Sequence, residues 1–476
     1  MLFTSLEFLL FFLPIVLGVY FCLNAWAKNV WLLFASLFFY AWGEPKFVIV
    51  MIASIMFNYM MAVLIAVVRK KTRVSGLLLG VCIVGNLSVL FLYKYANFVT
   101  TVAREAFPGW QGVIPQTSFV LPIGISFFTF QALSYVVDVR RGVPVQWNPL
   151  NLALYISLFP QLIAGPIVRY TTVCDQIVHR VVTFEFFSNG VYRFLIGFNK
   201  KMLLANLFAV VADKAFASPD LTCGFAWLGA IAYSFQILFD FSGYSDMAIG
   251  LGAMFGFKFL ENFDYPYVSK TVTEFWRRWH MSLGSWFRDY VYFPLGGSRV
   301  RKPRMLFNLA VVWCLTGVWH GANWTFILWG TLYGVLIAVE KLTALPKRVD
   351  SSRVFRFFYQ PFTLLMILLG WVLFRSETLM ASCKYLKAMF LGGGGTQVVT
   401  MMNAGFELRE LSGVLLCGVV CAMPLVPVVS SWILKRHARW EGVFASIGWC
   451  WQLLLFMASV SFLVMSAHNP FIYFNF

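Results

Sequence analysis

Charge is what this chain has least of. Asp, Glu, Lys and Arg together make up 12% of its 476 residues, about half the share found in soluble domains. The acidic sign is scarcer, 20 residues against 37 basic ones, and histidine occurs five times. Disorder is excluded, because it requires low hydrophobicity and high charge. No C-x-x-C pair occurs, and the nine cysteines, an odd number, lie mostly inside apolar runs, as with Cys22, Cys82, Cys314, Cys417, Cys421 and Cys450. Neither a disulfide framework nor a zinc site is indicated. Cys417 and Cys421 share a helix face, but in apolar surroundings that reads as packing. A Gly-x-Ser-x-Gly elbow, a phosphate-binding glycine loop and a metal-ligand cluster are missing as well.

What is present is apolar. The hydrophobic set makes up 60% of the chain and Phe alone occurs 51 times, against about 45–50% apolar residues with Gly included in soluble domains. One soluble core of this size cannot hide that surface, so an ordinary cytosolic enzyme is excluded and the natural solvent is lipid. The net charge of +17 sits in short clusters between apolar runs: Arg69-Lys70-Lys71, Arg140-Arg141, Arg299 to Arg304 and Lys435-Arg436. Positive cytoplasmic loops have that distribution, and it argues against nucleic acid as a partner.

Four runs are long enough to cross hydrocarbon, which takes about 20 residues: Phe47 to Val68, Val74 to Tyr93, Leu411 to Leu434 and Val443 to Ala467. Less regular candidates are Trp31 to Tyr40, Phe119 to Val137, Leu150 to Val168, Val191 to Val211, Leu221 to Phe239 and Val354 to Leu373. Leu9 to Leu23 has no basic segment before it and Lys28 after it, which reads as an uncleaved first span with the N-terminus outside. The expectation is an all-α polytopic membrane protein with about ten to twelve transmembrane or re-entrant helices plus interfacial helices. Lys94 to Ser118 is expected to be the largest outer loop, Leu391 to Thr396 a flexible linker, and Asp138 with Arg140 and Arg141 the end of a span.

From Asp240 to Asn323 the apolar runs are interrupted by charges, histidines, glycines and tryptophans. Polar groups inside a membrane bundle are expensive and mark function. His179, His437 and His468 lie in polar connections or at a span end and read as solvated. His320 is different: between Arg304 and Glu340 lie 35 residues in which only Cys314 and Tyr333 are otherwise ionisable. That length suits two short helices or one broken helix. The middle reads Thr316-Gly-Val-Trp319-His320-Gly321-Ala-Asn323-Trp324, and its glycines permit a break or a close backbone approach. On a helix, Asn323 would share the His320 face and could orient the ring. An imidazole with an ordinary pKa near 6.5 can take a proton from a hydroxyl at neutral pH. With no nucleophile or metal in view, direct transfer of an activated acyl group to an acceptor hydroxyl fits.

His280 lies in a segment where Thr271 and Glu274 have capping-box spacing. Trp276, Trp279, Leu283, Trp286 and Tyr290 recur at steps of three and four, with Arg277, Arg278 and Arg288 opposite. The pattern predicts an interfacial helix that either anchors or presents His280 and the arginines to an anionic donor. Asp240 and Asp246, in an otherwise apolar stretch, should find Arg, His or backbone partners, or line water.

Taken together, Phe275-Trp-Arg-Arg-Trp-His280, Arg288-Asp-Tyr-Val-Tyr-Phe-Pro-Leu-Gly-Gly297, Trp319-His-Gly-Ala-Asn-Trp324 and Phe239-Asp-Phe-Ser-Gly-Tyr-Ser-Asp-Met-Ala248 resemble the membrane-bound O-acyltransferase family, in its bacterial alginate O-acetyltransferase branch. Pro122-Ile-Gly-Ile-Ser126, Phe159-Pro-Gln-Leu-Ile-Ala-Gly-Pro166 and the opening Met1-Leu-Phe-Thr-Ser fit as well. The resemblance covers nearly the whole chain. It implies one membrane domain, residues 1–476, with a tunnel meeting both sides of the bilayer. His320 matches the family's catalytic histidine and His280 its second characteristic polar position. Asn323, Arg277, Arg278, Asp240, Asp246 and Trp319 are the expected supporting residues. The resemblance further implies acyl transfer from a cytoplasmic donor, acetyl-CoA, with no bound cofactor and no metal. The acetyl group would pass across a bacterial inner membrane to a periplasmic serine-hydrolase-like (SGNH-type) transferase that modifies a secreted polysaccharide, alginate. Cellulose or peptidoglycan as the polymer, phospholipid acylation, and a transporter or flippase remain open at this point.

Overall fold

The computed structural model describes residues 1–163, 165–219, 221–392, 412–436 and 440–465. His437, His468 and most of the expected linker Leu391 to Thr396 lie outside them. Among the described residues every regular element is helical. That is the economical answer in lipid, where each backbone N–H and C=O must be paired internally. The chain gathers into two compact units, one of Met1–Val191 with Met247–Leu260, the other of Tyr192–Asp246 with Glu261–Phe476.

In the first unit a π-turn, Phe8–Phe12, leads into α1 (Leu13–Cys22). It is followed by α2 (Ala25–Gly43), α3 (Val48–Val68) and α4 (Thr72–Leu90). Asn24 caps α2 by accepting the Ala27 N–H at 3.0 Å. The Arg69-Lys70-Lys71 turn joins α3 to α4, and Asn58 and Asn86 clasp these two helices through reciprocal amide hydrogen bonds of 2.9 Å. Such side-chain bonds are the usual glue between apolar helices in lipid, where burial of apolar surface gives no drive to associate. Helix α4 runs on through a π-turn at Phe91–Tyr95 into α5 (Ala96–Ala106), a continuous 35-residue run. The expected outer loop from Lys94 is therefore corrected: its first half is helix, and the loop proper starts at Phe107.

Helix α6 (Ile125–Arg141) ends where expected, with Asp138 paired to Arg141 at 3.6 Å and Gly142 closing it at φ +115°. Glycine adopts that angle without a Cβ penalty. The Leu150 to Val168 run is broken into α7 (Pro149–Ser157) and α8 (Phe159–Leu162), with α9 (Tyr170–Val178) after it. A phenylalanine cluster of Phe3, Phe8, Phe12, Phe39 and Phe159 fills the core here. His179 is exposed at the end of α9, as a solvated residue should be.

Helix α10 (Phe184–Asn199), a π-turn at Lys200–Ala205 and α11 (Asn206–Ala217) make one 34-residue run. The 32-residue α12 (Cys223–Met254) follows. Next come the short α13 (Val272–Arg278) and α14 (Met281–Phe287), then α15 (Lys302–His320) and α16 (Trp324–Thr343). The chain continues as α17 (Leu345–Ser351), α18 (Arg353–Arg375), α19 (Leu379–Leu391), α20 (Ser412–Ala422), α21 (Leu425–Arg436) and α22 (Glu441–Met465).

Among the described residues, seven helical runs are long and apolar enough to cross a bilayer, or eight if the α20–α21 pair, bent by 60°, counts as one span. The remaining expected runs are helices that are shorter or more polar, among them α1, α2, α6 and α15.

Candidate active site

The site grows from the break between α15 and α16, which the glycines foretold. These two helices lie unusually close. A Cβ on Gly330 would stand 2.5 Å from the Trp313 carbonyl oxygen, and one on Gly317 would stand 2.5 Å from that of Phe326. Only glycine fits at either position. His320 is the last residue of α15 and is buried. Its ring contacts Trp319, Trp329 and Phe374 at centroid distances of 4.9, 5.0 and 5.2 Å, each nearly perpendicular. Around it spreads an aromatic wall: Trp276 contacts Trp313, Trp329, Tyr333 and Trp371. Such a wall excludes water and lowers the local dielectric, which strengthens any charge–dipole interaction inside.

The expected role of Asn323 is corrected. The helix stops before it, so it does not share the His320 face. Its Oδ1 caps α16 by accepting the Thr325 N–H at 3.2 Å, and its Nδ2 donates to the Glu377 carbonyl at 2.6 Å. It holds the α15–α16 turn to the segment after α18.

His280 also departs from expectation, because the interfacial helix predicted through it is two helices. Thr271 caps the first as predicted, accepting the Glu274 N–H at 3.1 Å. The buried Glu340 carboxylate takes the Val272 and Thr273 N–H groups at 2.7 and 2.8 Å, where the positive end of a helix favours an anion. The chain then breaks at His280, which has φ +46° and ψ +53°. That left-handed conformation is uncommon for a residue with a Cβ.

The imidazole is buried against Phe241, 4.6 Å between centroids, and lies 6.0 Å from Trp319. Trp319 thus contacts both imidazoles. His280 Nδ1 is 3.1 Å from Asn262 Oδ1, and its Nε2 is buried with no hydrogen-bond partner among the described residues. Burial pushes the His280 imidazole down to about 3, so it is neutral throughout the physiological range.

Both intramembrane aspartates have cationic partners. Asp240 pairs with Lys201 at 2.6 Å, and both side chains are buried. Asp246 takes Arg193 and Lys200, each at 2.7 Å, and Arg193 reaches on to Glu261. Lys200 and Lys201 are adjacent in sequence and open the π-turn after α10, a type of irregularity that recurs at functional sites. Arg278 is engaged by Glu274 at 3.1 Å and Asp264 at 2.8 Å. Arg277 is exposed, with no hydrogen-bond or ion-pair partner among the described residues. The structure therefore joins His320, Trp319 and His280 in one cluster. Asp240 and Asp246 take structural ion pairs, and the two arginines differ in availability.

Asn262, Ser282, Trp329, Phe374 and Lys201 escaped the sequence reading. Asn262 carries no periodic signal, and Lys201 sits beside an equivalent lysine. No three His, Cys, Asp or Glu side chains gather as a metal site among the described residues.

Among the described residues the protein is all-helical, with a buried histidine at the α15–α16 break set inside an aromatic wall. The model of the membrane-bound O-acyltransferase family matches residues 77–383, and the chain belongs to that family. It is 40% identical over its full length, and that of the relative, to a protein named probable alginate O-acetylase AlgI from Azotobacter vinelandii. It is 33% identical to the peptidoglycan O-acetyltransferase of Helicobacter pylori, covering 100% of this chain and 98% of the relative. It is 29% identical to the teichoic acid D-alanyltransferase of Bacillus subtilis over 60% of this chain and 74% of that one. The protein is a multi-pass membrane O-acyltransferase.

Proposed function

We propose that this enzyme moves acetyl groups from a cytoplasmic donor, acetyl-CoA, across the bacterial inner membrane for O-acetylation of a secreted polysaccharide, alginate, through a periplasmic serine-hydrolase-like partner. The observation that carries the reading is His320, set at the α15–α16 break among Trp319, Trp329 and Phe374, in a chain that matches a protein named probable alginate O-acetylase from end to end. His320 takes the proton of an acceptor hydroxyl while the hydroxyl oxygen bonds to the acetyl carbonyl carbon. As the carbon–sulfur bond breaks, the thiolate leaves and receives the proton back from the imidazole. General-base catalysis of this kind contributes about 10²–10⁴-fold. The aromatic wall keeps bulk water from competing as acceptor.

The test is polymer-bound acetate in a deletion strain complemented with wild type or His320→Ala. The variant should reach wild-type membrane abundance and lose acetylation by at least about a hundredfold. Retention of half the activity would overturn the mechanism. Peptidoglycan is the second reading for the polymer, favoured by the Helicobacter pylori relative. Acetate on purified sacculi rather than on exopolysaccharide, lost in the same variant, would select it.

A further inference from the structure

Asn262 lies 18 residues before His280 and belongs to no motif that marks the site. Its side chain nevertheless sits at the centre of the His280 turn. Its Oδ1 accepts the Ser282 N–H at 3.2 Å and the Ser282 hydroxyl at 2.9 Å, and it lies 3.1 Å from His280 Nδ1. Its Nδ2 donates to Ser245 Oγ on α12 at 3.0 Å, and its backbone carbonyl accepts the Met281 N–H at 2.9 Å. A backbone N–H can only donate, so the atom facing Ser282 and His280 is the amide oxygen and the amide orientation is fixed.

An acceptor oxygen 3.1 Å from an imidazole nitrogen requires the hydrogen to be on that nitrogen, because two lone pairs would otherwise face each other. The Ser282 hydroxyl is 3.5 Å from Nδ1 but 2.9 Å from Oδ1, so it is committed to the amide. The neutral imidazole carries one N–H, and here that is Nδ1–H. Nε2 then holds a lone pair, buried, with no donor among the described residues.

We infer that Asn262 is a positioning residue that locks His280 in its Nδ1–H tautomer, so that Nε2 presents a hydrogen-bond acceptor to an O–H or N–H group of a substrate and cannot donate to a developing oxyanion. This deepens the acetyl-transfer reading and rests on it for the identity of the substrate, though not for the state of the ring. The surrounding charges do not favour an imidazolium. Arg278 is paired with Glu274 and Asp264, Asp246 with Arg193 and Lys200, and Asp240 with Lys201. Among the described residues no carboxylate hydrogen-bonds or ion-pairs with His280, and a second imidazole, His320, contacts the same indole, Trp319. Negative charge in the transition state must therefore be met by other groups.

Two experiments test this. In lipid-reconstituted full-length protein carrying ¹⁵N-labelled histidine, the resonances lost in His280→Gln should show a protonated Nδ1 and a bare Nε2 from pH 6 to 8. A protonated Nε2 overturns the inference, whatever polymer or donor the enzyme uses. The second experiment is a pH profile of Asn262→Asp, normalised to wild type at each pH. A carboxylate accepts from the same three donors but stabilises the imidazolium and raises its pKa. Below that raised value Nε2 becomes a donor. Relative transfer should fall about tenfold for each pH unit below it and recover above it. A profile that instead falls as the pH rises overturns the inference, and where the profile matches wild type the labelled spectrum of the wild-type protein decides. If Asn262→Asp does not reach the membrane, the labelled wild-type spectrum decides alone.

Discussion

Lys201 and Asp240 form an ion pair in which neither side chain is more than 3% exposed, on helical runs apolar enough to span lipid. Taking either charge out of water is costly, and their attraction repays the cost only while both are present. Lys201→Met leaves the Asp240 carboxylate without that cation and should destabilise the protein by about 3–5 kcal/mol, read as a lower Tm in detergent and reduced membrane abundance. Lys201→Met combined with Asp240→Leu should recover most of the loss, and a double variant no better than the single one would show that the pair is not a closed unit. The sequence made the need for a counter-charge legible, because a lone intramembrane aspartate is expensive. It could not say which cation answers. Lys200 and Lys201 are indistinguishable in sequence, and the π-turn that sends one to Asp246 and the other to Asp240 leaves no mark in composition. Asn262 was invisible for a related reason, since its partners Ser245, His280 and Ser282 come from elements that only the fold brings together.

At the scale of elements, α15 and α16 act as a clamp whose jaws are glycines. Gly317 lies three residues before His320, and Gly330 faces it, with Gly317 Cα 3.0 Å from where a Gly330 Cβ would be. The obstructing atoms at both positions are backbone, which cannot step aside as a side-chain tip would. Gly330→Ala should push the helices apart and shift the imidazole relative to Trp329 and Phe374. A displacement of about 1 Å at a reacting group can cost about a hundredfold in rate, so acetyl transfer per unit of membrane protein should drop by at least about tenfold. Equal specific activity would show that the close approach serves stability alone. This break was readable from the glycines that flank the histidine, whereas the expectation of short helices was not met: α15 and α16 hold 19 and 20 residues and run past Arg304 and Glu340. The break at His280 was not. Aromatic residues at steps of three and four fit one continuous helix from Thr271 to Tyr290, and a left-handed histidine has no local signal. The turn is held instead by Asn262 from outside the segment.

At the scale of the molecule, the +17 charge and its clustering set an orientation. Three helices precede the exposed Arg69-Lys70-Lys71 turn, and the positive-inside rule puts that turn in the cytoplasm. A cysteine introduced at Lys70 should react with an impermeant maleimide only after permeabilisation, and labelling in intact cells would overturn the topology. The same arrangement bears on where chemistry on the polymer happens. The stretches between successive described helices hold at most about twenty residues, whereas a domain able to form a saccharide cleft needs on the order of 100. The segment that begins at Phe107 is exposed, carries Trp110 and is too short to form such a cleft. In the proposed relay, a second protein places the acetyl group delivered to the outer face on sugar hydroxyls. Purified, lipid-reconstituted enzyme supplied with acetyl-CoA should acetylate polymer only slowly, with no more than slow transfer to water in its place. Adding the periplasmic partner should restore transfer, and His320→Ala should abolish it even with the partner present, because the partner receives only what His320 releases. Rapid polymer acetylation by the membrane enzyme alone would refute the relay and leave the O-acyltransferase assignment intact. Restoration by the partner in the His320→Ala background would instead move the chemistry off this chain.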